Sequence, residues 1–443
     1  MSPSSAPIKT RIFWTWDHST TWVLNQPGEH NCGCSNEYGR SAETFLEDYS
    51  RLVRWCGAHG VDGVVVWGLL RDIHGGADSV HRLCEVAREH DVLLLAGAGL
   101  NAYGGVYYAG DSPWSLDRHL QAHPELMALN AEGDPHIIGA THPYLPTERP
   151  MLHACPSREE NREFAMESLR WLFETFDLGG VQVETGDSRV CHCTRCRERR
   201  QYPVKHFSWE DMALMYPLAA DAVRTVNRDA LLITETYSHP EPSPDPNKVP
   251  GFGGALPPWG PACLAEFPEN VIVEWVADDW LAGGKYTWTR EGVPPAGPRR
   301  HIMRAHFASL FMEPLDNLAI DRIADLAARS ASHGFDAISI FGERSPFNAN
   351  AELNYLAFAD CGSAANPSSD LSSFLDRLAA PLLGGPALAR EYVGIARLID
   401  RPMEAETGVH RARQIAATME SAVARRWTWL ANYVASHAYE AAE

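Results

Sequence analysis

The amino-acid sequence predicts an α/β protein, a (β/α)8 TIM barrel with a C-terminal helical segment. Three observations lead there. Eight short β-rich runs recur between residues 11 and 343, helical patterns lie between them, and several runs are almost continuously apolar. Continuous apolar strands belong to parallel sheets covered on both faces, and a strand–helix alternation sustained for eight rounds is that of a closed barrel.

In chain order the runs are RIFWTW (11–16), GVVVWG (63–68), VLLLAGA (92–98), GVQVE (180–184), ALLITE (230–235), VIVEWV (271–276), HIMRAHF (301–307) and AISIFGE (337–343). Helical periodicity is clearest over 41–60, 77–90, 157–176, 208–226 and 317–334. Ser41 provides an N-cap, and Gly60 and Gly334 stop their helices. The connections after the fifth, sixth and seventh runs are less regular, and the Pro- and Gly-rich stretch 237–269 reads as a long loop at the barrel top. A doubly wound open sheet competes, but no Gly-x-Gly-x-x-Gly turn follows the first strand. The division expected is a flexible tail over 1–10, the barrel over 11–362 and Ala- and Leu-rich helices packed on it over 363–443.

A formal charge of −19, from 38 Lys and Arg against 57 Asp and Glu, lacks the basic footprint that nucleic acid or an anionic membrane requires. No apolar run reaches a membrane span, and MSPSSAPIKTR is not followed by a signal-peptide core, so a cytoplasmic location is expected. Fourteen Trp and fourteen Tyr suit either a large core or the stacking of sugar rings.

Barrel chemistry sits where strands end in loops at the C-terminal face. Acids fall at those ends repeatedly: Asp17 after the first strand, Glu184 and Asp187 after the fourth, Glu235 after the fifth, Glu274, Asp278 and Asp279 with the sixth, Glu343 after the eighth. Carboxylates converging on one mouth raise one another's pKa unless function or cations compensate, and Arg189, Arg304 and Arg344 are the cations at hand. Glycosidic cleavage needs such a set, because one acid protonates the leaving oxygen while another stabilises or attacks the oxocarbenium-like centre. Trp14, Trp16, Trp67, Trp275 and Trp280 offer stacking faces near the same ends, although strand alternation must send some of them into the helix layer.

After Glu184 the segment GGVQVETGDSRVCHCTRCRERR carries Cys191, Cys193 and Cys196 in a C-x-C-x-x-C spacing. Clustered thiols in a reducing compartment read as metal ligands or packing before disulfides, and this spacing suits one structural, tetrahedral Zn²⁺. Cys32 and Cys34 are candidate further donors, whereas Cys56, Cys84, Cys263 and Cys361 read as buried thiols.

These features resemble those of TIM-barrel glycoside hydrolases. The loop HPELMALNAEGDPH (123–136) is similar to a hairpin many of them carry after the third strand, and HACPSREENREF (153–164) to the Pro-Ser helix start before their fourth. The strand-four acid followed by C-x-C-x-x-C resembles family 42 β-galactosidases, in which an upstream Cys completes a zinc site. That resemblance implies Glu184 as proton donor and Cys155, Cys191, Cys193 and Cys196 as zinc ligands. FGERSPFNANAELNYLAF (341–358) and NPSSDLSSFLDRLAAPLLGG resemble family 20 and family 67 barrels instead. Retaining enzymes of the largest clan place a nucleophilic Glu on strand seven, and HIMRAHF has none; VQVETGD also lacks the family 20 Asp-Glu pair.

Glu274 is therefore expected as the partner of Glu184, since strand six lies two places around the barrel, far enough to admit a sugar ring between the two acids. Asp17, Trp16, Trp67, Asp187, Glu235, Trp275, His306 and Glu343 are expected to bind substrate, with no organic cofactor. The partner expected is a carbohydrate, and a homo-oligomer is compatible with the sequence. Two other classes stay open. Asp17, His18, Glu184, Glu235 and Glu274, with His239 and His306 nearby, suit a divalent cation in an isomerase, epimerase or metallohydrolase. A catalytically silent sugar-binding barrel would keep the Trp residues without opposed acids.

Overall fold

All eight expected runs form strands: β1 (Thr10–Trp16), β2 (Gly63–Trp67), β3 (Leu93–Gly99), β4 (Gly180–Glu184), β5 (Leu231–Glu235), β6 (Val271–Val276), β7 (His301–Arg304) and β8 (Ala337–Phe341). The computed structural model describes residues 8–23, 41–138, 151–184, 189–201, 208–236, 238–242, 254–276, 299–307, 316–335, 337–361 and 370–440; at 184, 238–242, 254–255, 400, 402 and 438–440 it is the main chain that is described. The strands close in the order β1-β8-β7-β6-β5-β4-β3-β2, every neighbouring pair parallel. Each is therefore hydrogen-bonded to the strands before and after it in sequence, the arrangement that repeated βαβ crossovers produce.

Helices wrap the outside: α1 (Ala42–His59), α2 (Gly76–Glu89), α3 (Leu116–Ala122), α4 (Glu159–Thr175), α5 (Thr194–Arg199), α6 (Trp209–Val226), α7 (Gly260–Ala265), α8 (Ile320–Ser332) and α9 (Ala349–Asp360). Ser41 caps α1 by accepting from the Thr44 N–H, and Gly60 ends it in the left-handed region, which a residue without Cβ enters at no steric cost.

Strand alternation divides the core in two. Ile12, Val65, Leu95, Ile233, Ile272, Ile302 and Ala337 fill the barrel interior, with Trp14, Trp67 and Phe341 in the same cluster. Phe13, Val64, Val66, Leu94, Val181, Val183 and Val273 face the helices. Set among the apolar interior are four polar side chains, Gln182, Glu235, Glu274 and Arg304, each no more than 2% exposed. Burying them requires that they satisfy one another.

Beyond α9 the chain runs through a helical stretch over 371–383 into α10 (Pro386–Ala396), α11 (Pro402–Ala416) and α12 (Ser421–Glu440). These helices meet α9 through Tyr392, which donates to Asn350 at 3.0 Å, and through Arg426, which pairs with Glu352 at 2.5 Å. At the other end Ile8 is buried and β1 starts at Thr10. Among the described residues, no helix is long and apolar enough to cross a membrane.

Candidate active site and candidate metal centre

Glu184, Glu235 and Glu274 occupy one register row. Glu184 is paired with Glu235 across β4 and β5, and Glu235 with Glu274 across β5 and β6, all at the C-terminal side of their strands. The period-two alternation of β6 turns Glu274 inward and Trp275 outward. Glu274 Oε1 accepts from Gln182 Nε2 at 2.7 Å and lies 3.5 Å from Arg304 Nε. Arg304, reaching across from β7, also pairs with Glu235. Its guanidinium stands over the Trp14 ring at 5.1 Å. Gln182 Oε1 accepts from both Trp14 Nε1 and Trp67 Nε1 at 2.7 Å each. Trp67 reaches this position because residue 97 is glycine: a Cβ there would lie 2.5 Å from the indole.

Asp17 follows β1 and is fully buried. It pairs with Arg71 Nε at 2.5 Å, His18 Nδ1 at 3.3 Å and His74 Nδ1 at 3.4 Å. Burial pushes its carboxyl up, but Arg71 and the two histidines outweigh burial and hold it well below the usual carboxylate range. Gly68, at φ 78°, admits that carboxylate, since a Cβ at this position would fall 2.3 Å from its carbon. Trp16 lies beside Trp67 (5.3 Å), Tyr103 (5.8 Å) and Tyr108 (6.1 Å), and Arg71 covers the Tyr108 ring at 4.0 Å. Glu343 accepts from the Trp16 N–H at 2.9 Å and from Ser19 Oγ at 2.6 Å, tying the end of β8 to the loop after β1. His306 stacks near Phe341 at 5.0 Å; burial first, and Arg304 second, hold it neutral well below its ordinary pKa.

The structure thus gathers Asp17, Trp16, Trp67, Glu235, Glu274, His306 and Glu343 in the barrel interior and its C-terminal end. Trp275 corrects the expectation. Its ring stands in the helix layer with Trp209 at 6.1 Å and donates to His301 at 3.1 Å, on the opposite side of β6 from Glu274. Asp187, Asp278, Asp279 and Trp280 lie outside the described residues, as do Cys32 and Cys34. Arg344 pairs with Asp316 at 2.7 Å rather than with Glu343. Sequence reasoning missed Gln182 and Arg71. A lone polar residue inside the apolar run GVQVE was the available signal for the first. Arg304 sits between Glu235 and Glu274, and Arg71 on Asp17, so these three carboxylates each face a cation.

The second cluster lies outside the barrel mouth. Cys155 precedes α4, Cys191 and Cys193 lead into α5, and Cys196 lies within α5; their four sulfurs lie within 4.8 Å of one another, and three of the four residues are buried. Cys155 Sγ is 3.7 Å from both Cys193 Sγ and Cys196 Sγ. The Leu129 and Cys193 N–H groups donate to Cys191 Sγ at 3.3 and 3.4 Å, and Ser157 Oγ lies 3.0 Å from Cys196 Sγ. Hydrogen bonds from Cys155 and Cys191, then Ser157 and the charge of Arg199, hold the Cys196 thiol well below its ordinary range against its burial. Main-chain donors around a thiol set stabilise thiolates, the form that binds a metal. These four buried cysteines could hold a metal ion.

No family model matches the sequence, and no curated protein does. Among solved structures the chain is similar to an O-GlcNAc hydrolase from Thermobaculum terrenum, at 10% identity over 96% of this chain and 82% of that one, TM-score 0.49. It is similar to a glycoside hydrolase family 20 β-N-acetylglucosaminidase at 12% identity, covering 87% of this chain and 76% of that one, TM-score 0.44. It is also similar to a noncanonic maltogenic α-amylase from Thermotoga neapolitana at 14% identity, covering 77% and 67%, TM-score 0.41. These structural neighbours are glycoside hydrolases; the likeness is one of fold, and it shows no link to family 42 or family 67.

Proposed function

We propose that the protein is a glycoside hydrolase that cleaves an O-glycosidic bond of an oligosaccharide or small glycoside with Glu184 and Glu274. The observation that carries the reading is the row of glutamates on three adjacent strands. With strands about 4.8 Å apart, the first and third members stand about 10 Å apart at their Cα atoms, enough to flank a sugar ring. Glu184 protonates the leaving oxygen. Glu274, which receives the Gln182 amide and faces Arg304, is held ionised and acts on the anomeric carbon as nucleophile or as base towards water. Glu235, neutralised by Arg304, orients that cation and a sugar hydroxyl. Asp17, Glu343 and His306 complete the polar lining, and Trp16 with Tyr103 and Tyr108 supplies the stacking surface, while the wholly buried Trp67 ring packs behind Trp16. Trp275 is left out, because its ring faces the helices.

A panel of nitrophenyl glycosides tests this reading. Wild type should turn over at least one of them, and Glu184→Gln should lower kcat by about a hundredfold or more with the fold intact. Azide should restore activity to Glu274→Ala, since a small anion replaces a missing nucleophile or base but not a hydroxyl-binding acid. Unchanged turnover in Glu184→Gln, or near-normal turnover in Glu274→Ala beside an azide-rescued Glu235→Ala, would remove these assignments.

The four-cysteine cluster is proposed to hold a structural Zn²⁺. Its all-sulfur donor set and closed shell are those of structural zinc rather than of a catalytic site with an open position. The ion would fasten the segment after Glu184 to the start of α4 and to the loop at Leu129.

A further inference from the structure

We infer that Gln182 is a positioning residue that fixes both the orientation and the charge state of Glu274; the inference rests on the reading of Glu274 as the partner carboxylate. An indole N–H can only donate. Two indoles, from β1 and β2, converge on one amide atom of Gln182 at 2.7 Å each, so that atom must be the carbonyl oxygen, which has two lone pairs. The orientation of a glutamine amide, usually ambiguous, is decided here by its partners. The NH2 group must then face the other way, and it meets Glu274 Oε1 at 2.7 Å. Reversing the amide would set N–H groups against two indole donors and an oxygen against a carboxylate.

The consequence for Glu274 is electrostatic as well as geometric. A neutral donor favours the ionised carboxylate without cancelling its charge, so the carboxylate remains available to an electrophilic carbon. Among the described side chains, the charged and titratable groups near it include Arg304 from β7, Glu235 from β5 held by the same guanidinium, and His306 two residues beyond Arg304, and the main chain of β4 sets Glu184 in the same register row. Arg304 is shared between two glutamates, whereas the Gln182 amide nitrogen is directed at Glu274. Trp14 and Trp67 thereby become part of the site through their N–H groups, with their rings packed in the interior.

Gln182→Glu is nearly isosteric. One oxygen still accepts from both indoles, but the other now faces Glu274, so the two carboxylates must share a proton or repel. The acidic limb of the kcat/KM profile on the glycoside that wild type cleaves best should move up by about one pH unit or more, a tenfold change in the proton affinity of Glu274. Gln182→Met keeps the volume, removes the donor and should lower kcat more than it changes KM. A readout independent of turnover is the indole N–H resonances of Trp14 and Trp67 in ¹⁵N-labelled protein. Glu274→Gln should shift both, and the same change in a Gln182→Met background should leave them in place. An acidic limb that stays put in folded Gln182→Glu, or indole resonances indifferent to Glu274→Gln, would overturn the inference. If wild type cleaves no glycoside, the reading of Glu274 fails by itself, and the indole resonances alone decide the role of Gln182.

Discussion

The spacing of the cysteine sulfurs matches the size of a tetrahedral zinc centre. In a tetrahedron the edge is about 1.63 times the distance from centre to corner, so the two 3.7 Å edges from Cys155 Sγ to Cys193 Sγ and Cys196 Sγ fit a centre about 2.3 Å from each, which is the Zn–S bond length. The same separation is nearly twice a disulfide bond of about 2.05 Å, and all four cysteines are free thiols in the structure. Protein purified without added metal should carry about one zinc per chain by elemental analysis, and cobalt-exchanged protein should show the intense sulfur-to-metal absorption of a tetrathiolate centre. Cys155→Ser removes the one ligand that comes from the far side of α4. It should drop zinc content below about half under dialysis, because each thiolate contributes a share of the roughly 10–16 kcal/mol with which such sites bind zinc. Cys361→Ser, a thiol elsewhere in the chain, serves as control and should retain the metal. Folded protein with less than about a tenth of a zinc per chain would refute the assignment. So would a Cys155→Ser variant that holds zinc as firmly as wild type.

Two further outcomes follow from the barrel interior. Gly97→Ala places a methyl group 2.5 Å from the Trp67 indole, so the ring must move off Gln182. A loss of about 1–3 kcal/mol in urea denaturation is expected, and an unaltered midpoint would show that the ring is not confined there. Asp17→Asn removes the charge with which Asp17 pairs the buried Arg71 and should cost about 3–5 kcal/mol at neutral pH. Because the folded-state pKa of Asp17 lies below its unfolded value, its stabilisation is complete above about pH 4 and is lost as pH falls further. Wild type should therefore lose more stability than Asp17→Asn between pH 5 and the acid limit; parallel curves would contradict the pairing.

The eight strands were legible because each is covered on both faces, by interior on one side and helix on the other, so burial itself writes a continuous apolar run into the sequence. The acids that close β4 and β5 were legible at the ends of their apolar runs, and the strand register sets Glu274, two residues before the end of β6, level with them. Partners were not legible. Arg304 reaches Glu235 across two strands and Cys155 meets Cys196 around a helix, and no local pattern encodes contacts set by barrel closure. Trp275 is a different kind of error, one the sequence alone could have corrected. Glu274 and Trp275 are consecutive in VIVEWV, consecutive strand residues face opposite sides, and a barrel has only one inside. Naming Glu274 as a pocket residue already excluded Trp275. The same rule, applied to GVQVE, puts Gln182 on the side of the strand opposite Val181 and Val183, both of which pack against helices. An uncharged polar residue at such a position has no apolar reason to be there. It is kept by what it hydrogen-bonds, and the two indoles and the carboxylate around it account for all three of the bonds seen at its amide.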